Sequence, residues 1–387
     1  MAGEWRTSTW GDEIVLEYGK ALRGHDTAKG QYRVYGSNGP IGWTPEPLTQ
    51  GPGVILGRKG AYRGVQFSRD PFFVIDTAYY VVPKSELDMR WLYYAIKHYN
   101  LGEVDDGSPI PSTTRAAVYV RDLDVPIPDE QRAIAHILGT LDDKIELNQR
   151  MNETLVAMAR ALFKSWFVDF DPVRAKAAGR DPGLPQPLAD LFPDSFEDSD
   201  LGEIPKGWRV VNWGELVTLE YGKSLRQYEG SHMAYPVYGT NGLIGSHSEP
   251  LCDHAGIIVG RKGAYRGVHF CSTPFFVIDT AFYVEPKEPI ELRWAYYELL
   301  RQDINSMDSG SAIPSTSRED FYSLPVLAPH IEIQQAFTRL LRPVWARQKQ
   351  GDGECRTLVT LRDTLLPKLI SGELRVKDTE KFMERVV

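Results

Sequence analysis

The chain has 387 residues, 42% of them hydrophobic and 25% charged, which is the composition of two or three ordinary globular domains. It contains no apolar run near the 18 residues of a membrane span, and its first residues, MAGEWRTSTWGDE, are not a basic and apolar leader, so a cytoplasmic protein with no membrane partner is expected. Three cysteines, Cys252, Cys271 and Cys355, lack metal-ligand spacing and argue against a disulfide framework or a zinc site, so no metal is expected. The net charge of -8 weighs against a globally basic nucleic-acid binder, and much of the acidity sits in residues 171–205. A DNA-binding surface would therefore have to be a local patch.

In chain order, residues 1–128 alternate short β-type runs (VILG, FFVIDTAYYVV) with Gly, Pro and Asn punctuation, and RWLYYAIKHY predicts one helix over 87–99. This is a compact α+β domain. From Asp129 the period changes. Ile134, Leu138, Leu141, Ile145, Asn148, Asn152, Leu155, Ala159, Leu162 and Trp166 fall at alternating steps of four and three, predicting a helix over 129–170, about 60 Å long at the usual rise per residue. Asn148 and Asn152 either fix register inside the seam or mark where it faces solvent. Residues 171–205, with six prolines, read as a linker or a surface-hugging connection with a short helical turn at LADLF.

A second α+β domain follows over 206–328, and the heptad returns over 329–374 through Ile333, Phe337, Leu340, Val344, Leu358, Leu361 and Leu365, before a C-terminal tail over 375–387. Pro343 and the pair Gly351 and Gly353 are expected to kink or weaken that helix. Its polar middle matches the Asn pair if the two helices lie antiparallel as a coiled coil.

The two domains are near copies. GRKGAYRGV at 57–65 recurs unchanged at 260–268, and Gly53 to Lys84 aligns without gaps to Gly256 to Lys287 with 24 of 32 positions identical. The same 203-residue offset relates LEYGKALR to LEYGKSLR, YRVYGSNGPIG to YPVYGTNGLIG and GSPIPSTTR to GSAIPSTSR. That period is too long for a solenoid repeat and implies two whole domains.

No phosphate loop, dinucleotide fingerprint, methyltransferase tetrad or HExxH is present, so no catalytic residue is assigned. Asp169-Phe170-Asp171 reads as a helix terminus, not a metal pair. The chemistry that remains is binding chemistry. GRKGAYRG offers glycines that let backbone approach a ligand, with Arg58, Lys59 and Arg63, repeated as Arg261, Lys262 and Arg266, suited to phosphate or guanine edges; a solvated basic hairpin is the other reading. Asn38 and Asn241, in turn-forming NG pairs, suit turns or adenine. Ser112, Thr113, Ser315 and Thr316 suit phosphate or base contact, as do Lys20 and Lys223 beside Tyr18 and Tyr221. The strand FFVIDTAYYV reads as core.

PIPDEQRAIAHILGTLDDKIELNQRMNETLVAMARALFKSWFVDFDPV resembles the central conserved region of type I restriction-modification specificity (S) subunits, and LRDTLLPKLISGELRV resembles their distal conserved region. The resemblance implies a non-catalytic DNA-recognition subunit: two target-recognition domains separated by two long antiparallel conserved helices in a pseudo-twofold arrangement, each reading half of a bipartite site in double-stranded DNA. Two methyltransferase (M) subunits would dock alongside, with restriction (R) subunits in the full endonuclease complex. S-adenosylmethionine for DNA methylation, and ATP with Mg for cleavage, would belong to those partners, and none to this chain. Phe163, Trp166 and Phe167 are expected at an M interface, or packed on the first domain or the linker.

Because the two domains are near copies, the expected target is interrupted and near-palindromic. The rival is a two-domain repeat scaffold that binds protein or glycan without DNA. A self-contained nuclease or methyltransferase is disfavoured by the missing catalytic groups.

Overall fold

A computed structural model describes residues 5–378, apart from 28, 106, 108–110, 227, 229–233 and 308–312. The expected C-terminal tail thus lies largely outside the described residues. The chain divides into two compact units, residues 1–151 with 350–387 and residues 152–349, so each long helix contributes to both.

In the first unit a four-stranded antiparallel sheet runs in the order Ile14–Tyr18, Ala78–Pro83, Gly53–Gly57, Val65–Ser68. A three-stranded sheet of Gly39–Thr44, Tyr32–Gly36 and Phe72–Val74 lies with it, its last pair parallel. Gly53–Gly57 is buried at all five positions, and the two-residue period of a strand explains why. Val54 and Leu56 face one way, into a core with Trp91, Leu92 and Ala95 of the helix Met89–His98, while Ile55 faces the other, against Phe72 and Val74. Arg6–Thr9 pairs with Asp122–Val125 and brings the ends of the domain together.

The second unit repeats this plan with Val217–Tyr221, Ala281–Pro286, Gly256–Gly260 and Val268–Cys271, the helix Leu292–Leu299, and the closing pair Arg209–Asn212 with Pro325–Ala328. Ile257 and Val259 enter one core and Ile258 another, as in the first copy.

The long helices span Pro128–Phe167 and Ile331–Ile370. Within each unit they run antiparallel. In the first, Glu130 meets Arg375, Asp142 meets Arg362 at 2.8 Å and Asn148 Nδ2 donates to Glu354 Oε2 at 3.0 Å. In the second, Asn152 Nδ2 donates to the Gln348 carbonyl at 3.4 Å and Phe163 packs on Phe337. Asn148 is buried, so the seam reading of that residue holds, and each asparagine meets the polar middle of the opposite helix. The second helix is unbroken through Pro343, Gly351 and Gly353. The expectation of a weakened middle is corrected to the extent that helical hydrogen bonding continues on both sides of the proline.

Residues 171–205 are folded onto the second unit: Asp171–Ala177 and Gln186–Ala189 are short helices, Phe196–Ser199 and Gly202–Pro205 form a hairpin, and Val173 and Phe192 are buried in its core.

One internal difference concerns Glu13, whose counterpart is Leu216. Glu13 is buried, and Arg6, with Ser8 Oγ at 2.6 Å and Ser85 Oγ at 2.9 Å, donates to it and holds its carboxyl down to about 2. A depressed folded value stabilises the fold above the ordinary carboxylate range and loses that contribution as pH falls through about 2. Glu13→Gln should therefore cost about 1–3 kcal/mol at pH 7, in chemical denaturation of the full chain, and progressively less as pH drops from 4.5 toward 2.

Candidate functional site

Three sequence motifs that are far apart in the chain meet at one end of each central strand. In the first unit the loop of residues 58–64 links Gly53–Gly57 to Val65–Ser68, and Gly57 N–H donates to the Gly64 carbonyl at 2.8 Å. Only glycine fits at position 57, where a Cβ would lie 2.4 Å from the Ser37 carbonyl oxygen and 2.8 Å from Arg63 Cα. Gly60 has φ +109°, a region that side-chain-bearing residues rarely adopt.

The Pro111–Thr113 segment lies beside this loop, with Gly60 N–H donating to the Pro111 carbonyl at 3.0 Å and Thr113 N–H to the Arg58 carbonyl at 2.9 Å. From the other side the Ser37-Asn38 turn joins in: Gly64 N–H donates to the Ser37 carbonyl at 2.8 Å, and Lys59 N–H donates to Ser37 Oγ at 3.2 Å. The second unit repeats the weave through Gly263 to Pro314 at 2.9 Å, Thr316 to Arg261 at 2.8 Å and Gly267 to Thr240 at 3.0 Å.

The cations of the loop separate into two roles. Lys59 is exposed, and Lys262 is half-exposed with Asp279 at 4.0 Å. Arg58 donates to the Asp76 carbonyl at 2.9 Å and lies 5.1 Å from the Tyr18 ring centre, while Arg261 donates to the Asp279 carbonyl at 2.8 Å and lies 4.8 Å from Tyr221. Both remain at the surface.

Arg63 and Arg266 instead turn inward, which corrects their expected place as ligand-facing cations. Arg63 donates to the Gly102 carbonyl at 2.8 Å, to Thr113 Oγ1 at 3.1 Å and to the Gly60 carbonyl at 2.8 Å. Arg266 is buried and donates to the carbonyls of Asn305 at 2.7 Å, Gly263 at 3.2 Å and Ile304 at 3.3 Å. They brace the loop because a guanidinium can satisfy several backbone carbonyls at once.

Thr113 and Thr316 are also inside. Both are buried, with Thr113 Oγ1 donating to the Val104 carbonyl at 3.1 Å and Thr316 Oγ1 to the Gly260 carbonyl at 2.8 Å. Ser112 and Ser315 pair by backbone with Lys59 and Lys262 at the loop edge. Asn38 and Asn241 are exposed at their hairpin turns, and Lys20 and Lys223 are exposed just after the first strand of each four-stranded sheet, their N–H groups donating to the carbonyls of Val74 and Val277 at 2.9 Å.

Sequence reasoning missed two pairs. Tyr62 and Tyr265, at the loop tips, are each 79% exposed. Arg115 and Arg318 lie 4.3 and 5.0 Å from Tyr18 and Tyr221, so each tyrosine carries two guanidinium groups. The repeated GAYRG and PST-x-R spellings held that signal. The stretch FFVIDTAYYV is more than core, since Asp76 and Thr77 supply the carbonyls under Arg58 and Lys59.

The copies differ beneath the loop. Gln66 sits against Gly39 and Gly64, and its counterpart His269 against Gly242 and Gly267, where burial pushes the imidazole below its ordinary value. Arg69 does not join the site, because it pairs with Asp143 and Glu146 of the long helix.

Of the two expectations for Phe163, Trp166 and Phe167, the M interface is corrected and packing on the linker holds, with the second domain rather than the first as the other cover. All three are buried in the second unit's core against Phe192, Trp208, Tyr297 and Phe337, so their apolar surface is satisfied by the connection and the second domain. No described helix is long and apolar enough to cross a membrane.

A family model described as Type I restriction modification DNA specificity domain matches residues 3–157 and again residues 205–349. The chain is similar to the Type I restriction enzyme MjaIX specificity subunit of Methanocaldococcus jannaschii, 24% identical over 353 residues that cover 84% of this chain and 78% of that protein. It is also similar to the Type I restriction enzyme HindI specificity subunit of Haemophilus influenzae, 25% identical over 327 residues, 68% of this chain and 71% of that one. The crystal structure of a type I restriction-modification S subunit from M. genitalium matches with a TM-score of 0.66 at 20% identity, covering 94% of this chain and 96% of that one, a likeness of fold.

The inward arginines make a prediction about stability. Arg63→Ala or Arg266→Ala should lower stability by about 1–3 kcal/mol by leaving buried carbonyls without donors, and should speed amide exchange in the adjoining loop. Lys59→Ala and Lys262→Ala should leave the melting temperature and exchange unchanged, as read by calorimetry and hydrogen-exchange mass spectrometry.

Proposed function

The chain belongs to the type I restriction-modification DNA specificity family as a DNA sequence-specificity subunit, and from that premise we propose that its two woven loops are the parts that meet the DNA. The observation that carries this reading is the duplicated surface itself. Each copy presents an exposed tyrosine at the loop tip, a lysine beside it and an arginine lying on a second tyrosine, Tyr62, Lys59 and Arg58 in one and Tyr265, Lys262 and Arg261 in the other. Lysine and arginine neutralise phosphates, and the exposed rings and the Asn38 and Asn241 turns can approach base edges. Arg63, Arg266, Thr113 and Thr316 take part by holding the loop shape. The chemistry of methylation and cleavage falls to partner M and R subunits with their S-adenosylmethionine, ATP and Mg, and this chain acts as a recognition component.

Docking of M subunits along the long helices is supported by Leu147 and Met158, large apolar side chains that stay exposed on them, and by Leu340, which the heptad placed in the seam but which faces out while Leu341 is buried. The family match gives the rival protein- or glycan-binding scaffold no support.

The target follows from the same duplication. Loops with the same exposed residues should read the same short sequence, and helices that pair antiparallel favour inverted halves, hence an interrupted near-palindrome. Gln66 and His269 are where the halves can diverge by a base, through the shape of the turn above them.

Two measurements test this. Replacing Lys59 and Lys262 together by alanine, in the chain bound to its M partner, should weaken DNA binding for every sequence alike and reduce the slope of log affinity against log salt by about 2, one unit per lost phosphate contact. An unchanged slope would remove the loops from the interface. Adenine-methylome mapping of cells carrying this chain and its M subunit should return one half-site in both orientations; two unrelated half-sites would overturn the near-palindrome.

A further inference from the structure

Away from the loops, the second unit gathers three chemically distinct donors at one point. Cys252 Sγ lies 3.6 Å from His254 Nε2 and 4.0 Å from a Glu285 carboxylate oxygen, and His254 Nε2 lies 3.3 Å from that same oxygen. We infer that Cys252, His254 and Glu285 form a binding site for a divalent cation of the zinc class. No cysteine spacing in the sequence announced it, because the third donor is 31 residues farther on, on another strand.

The donor separations are those of ligands around one small ion. Metal bonds of about 2.3 Å to sulfur and about 2.0 Å to nitrogen and oxygen place neighbouring tetrahedral ligand atoms about 3.2 to 3.6 Å apart, so the triad needs only a slight contraction on the sulfur to oxygen side. Thiolate, imidazole and carboxylate together supply two negative charges to a dication, and a sulfur and nitrogen set selects zinc-like ions over magnesium or calcium.

Three features position the donors. Cys252 exchanges backbone hydrogen bonds with Phe275 in both directions at 3.0 Å, and Glu285 belongs to the strand Ala281–Pro286. His254 Nδ1 is 2.9 Å from the Ala255 carbonyl, a contact that places the proton on Nδ1 and leaves the Nε2 lone pair for a metal. Cys252 is buried while the His254 and Glu285 side chains are 44% and 36% exposed, so a fourth position opens to water. Burial pushes the free thiol up to about 11, so cation uptake displaces the Sγ proton to solvent.

The first copy has the same backbone there, with Thr49 and Phe72 exchanging hydrogen bonds, but Thr49, Gly51 and Val82 stand where the three donors would be. The site is therefore particular to one domain. It would tie the loop before Gly256–Gly260 to the neighbouring strand, at the opposite end of that strand from the basic loop.

The test is a Co2+ titration of the full-length chain in a phosphine reductant. One equivalent should raise a thiolate-to-cobalt charge-transfer band, competed away by Zn2+. Cys252→Ser should abolish the band, and the surface changes His254→Ala and Glu285→Gln should each weaken Co2+ at least about tenfold. Zn2+ should raise the melting temperature of the native chain more than that of His254→Ala. Absence of the band in the native chain, or equal affinity in His254→Ala, would overturn the site and leave only a histidine and glutamate ion pair over a buried thiol. Neither result depends on how the chain reads DNA.

Discussion

A guanidinium pointing into the fold is what gives each basic loop a fixed shape. Residues 57–64 contain three glycines, the residues that lose most conformational freedom on folding, and glycine is required at position 57 by the close approach of Ser37. Such a loop has no side-chain packing of its own to oppose that loss. Arg63 supplies the opposing term by donating to three different segments at once, and Arg266, buried in the second copy, ties its own loop to the Ile304 and Asn305 carbonyls. With the loop fixed from below, Lys59 and Tyr62 can stand outward without sampling many shapes, and a preorganised surface binds at lower entropic cost. The three glycines and the inward arginine are thus one device.

The larger architecture was legible because it rests on periodicities. Alternating steps of three and four announced both long helices, and the buried seam positions follow that pattern from Ile134 to Trp166. The duplicated motifs announced two like domains. What the sequence did not carry was direction. GRKGAYRG places three cations in a loop with no period, so nothing distinguishes Arg63 from Arg58 until the neighbouring carbonyls of Gly102 and Val104 are in place. Phe163 and Phe167 looked too apolar for a solvated helix end, correctly, but their cover is Phe192 of the connection and Trp208 and Tyr297 of the second domain, none of which a local pattern could place. Pro343 sits within a helix whose packing on both sides outweighs the hydrogen bond it removes.

The metal triad was hidden for a related reason. Motif spacing finds ligands that share a turn or a helix, and here two come from a loop and the third from a strand brought alongside by sheet pairing. Strand register, not chain proximity, made the neighbours.

The pattern of change between the copies separates two histories that the duplication alone leaves equal. A recent exchange of one copy for the other would leave buried and exposed positions equally alike. Ordinary divergence would change exposed positions first, because packing constrains the interior. Neither accounts for the loop tip. Buried positions have changed, Val54 to Ile257, Leu56 to Val259 and Ser68 to Cys271, and exposed ones too, Arg69 to Ser272 and Asp70 to Thr273, while the tip keeps Lys59 as Lys262, Ala61 as Ala264 and Tyr62 as Tyr265 although the tyrosine is 79% exposed in both. Nothing inside the fold requires a tyrosine at that exposure. The proposed DNA contact common to both copies accounts for the fixed tip, since it would hold these exposed residues while positions around them drift.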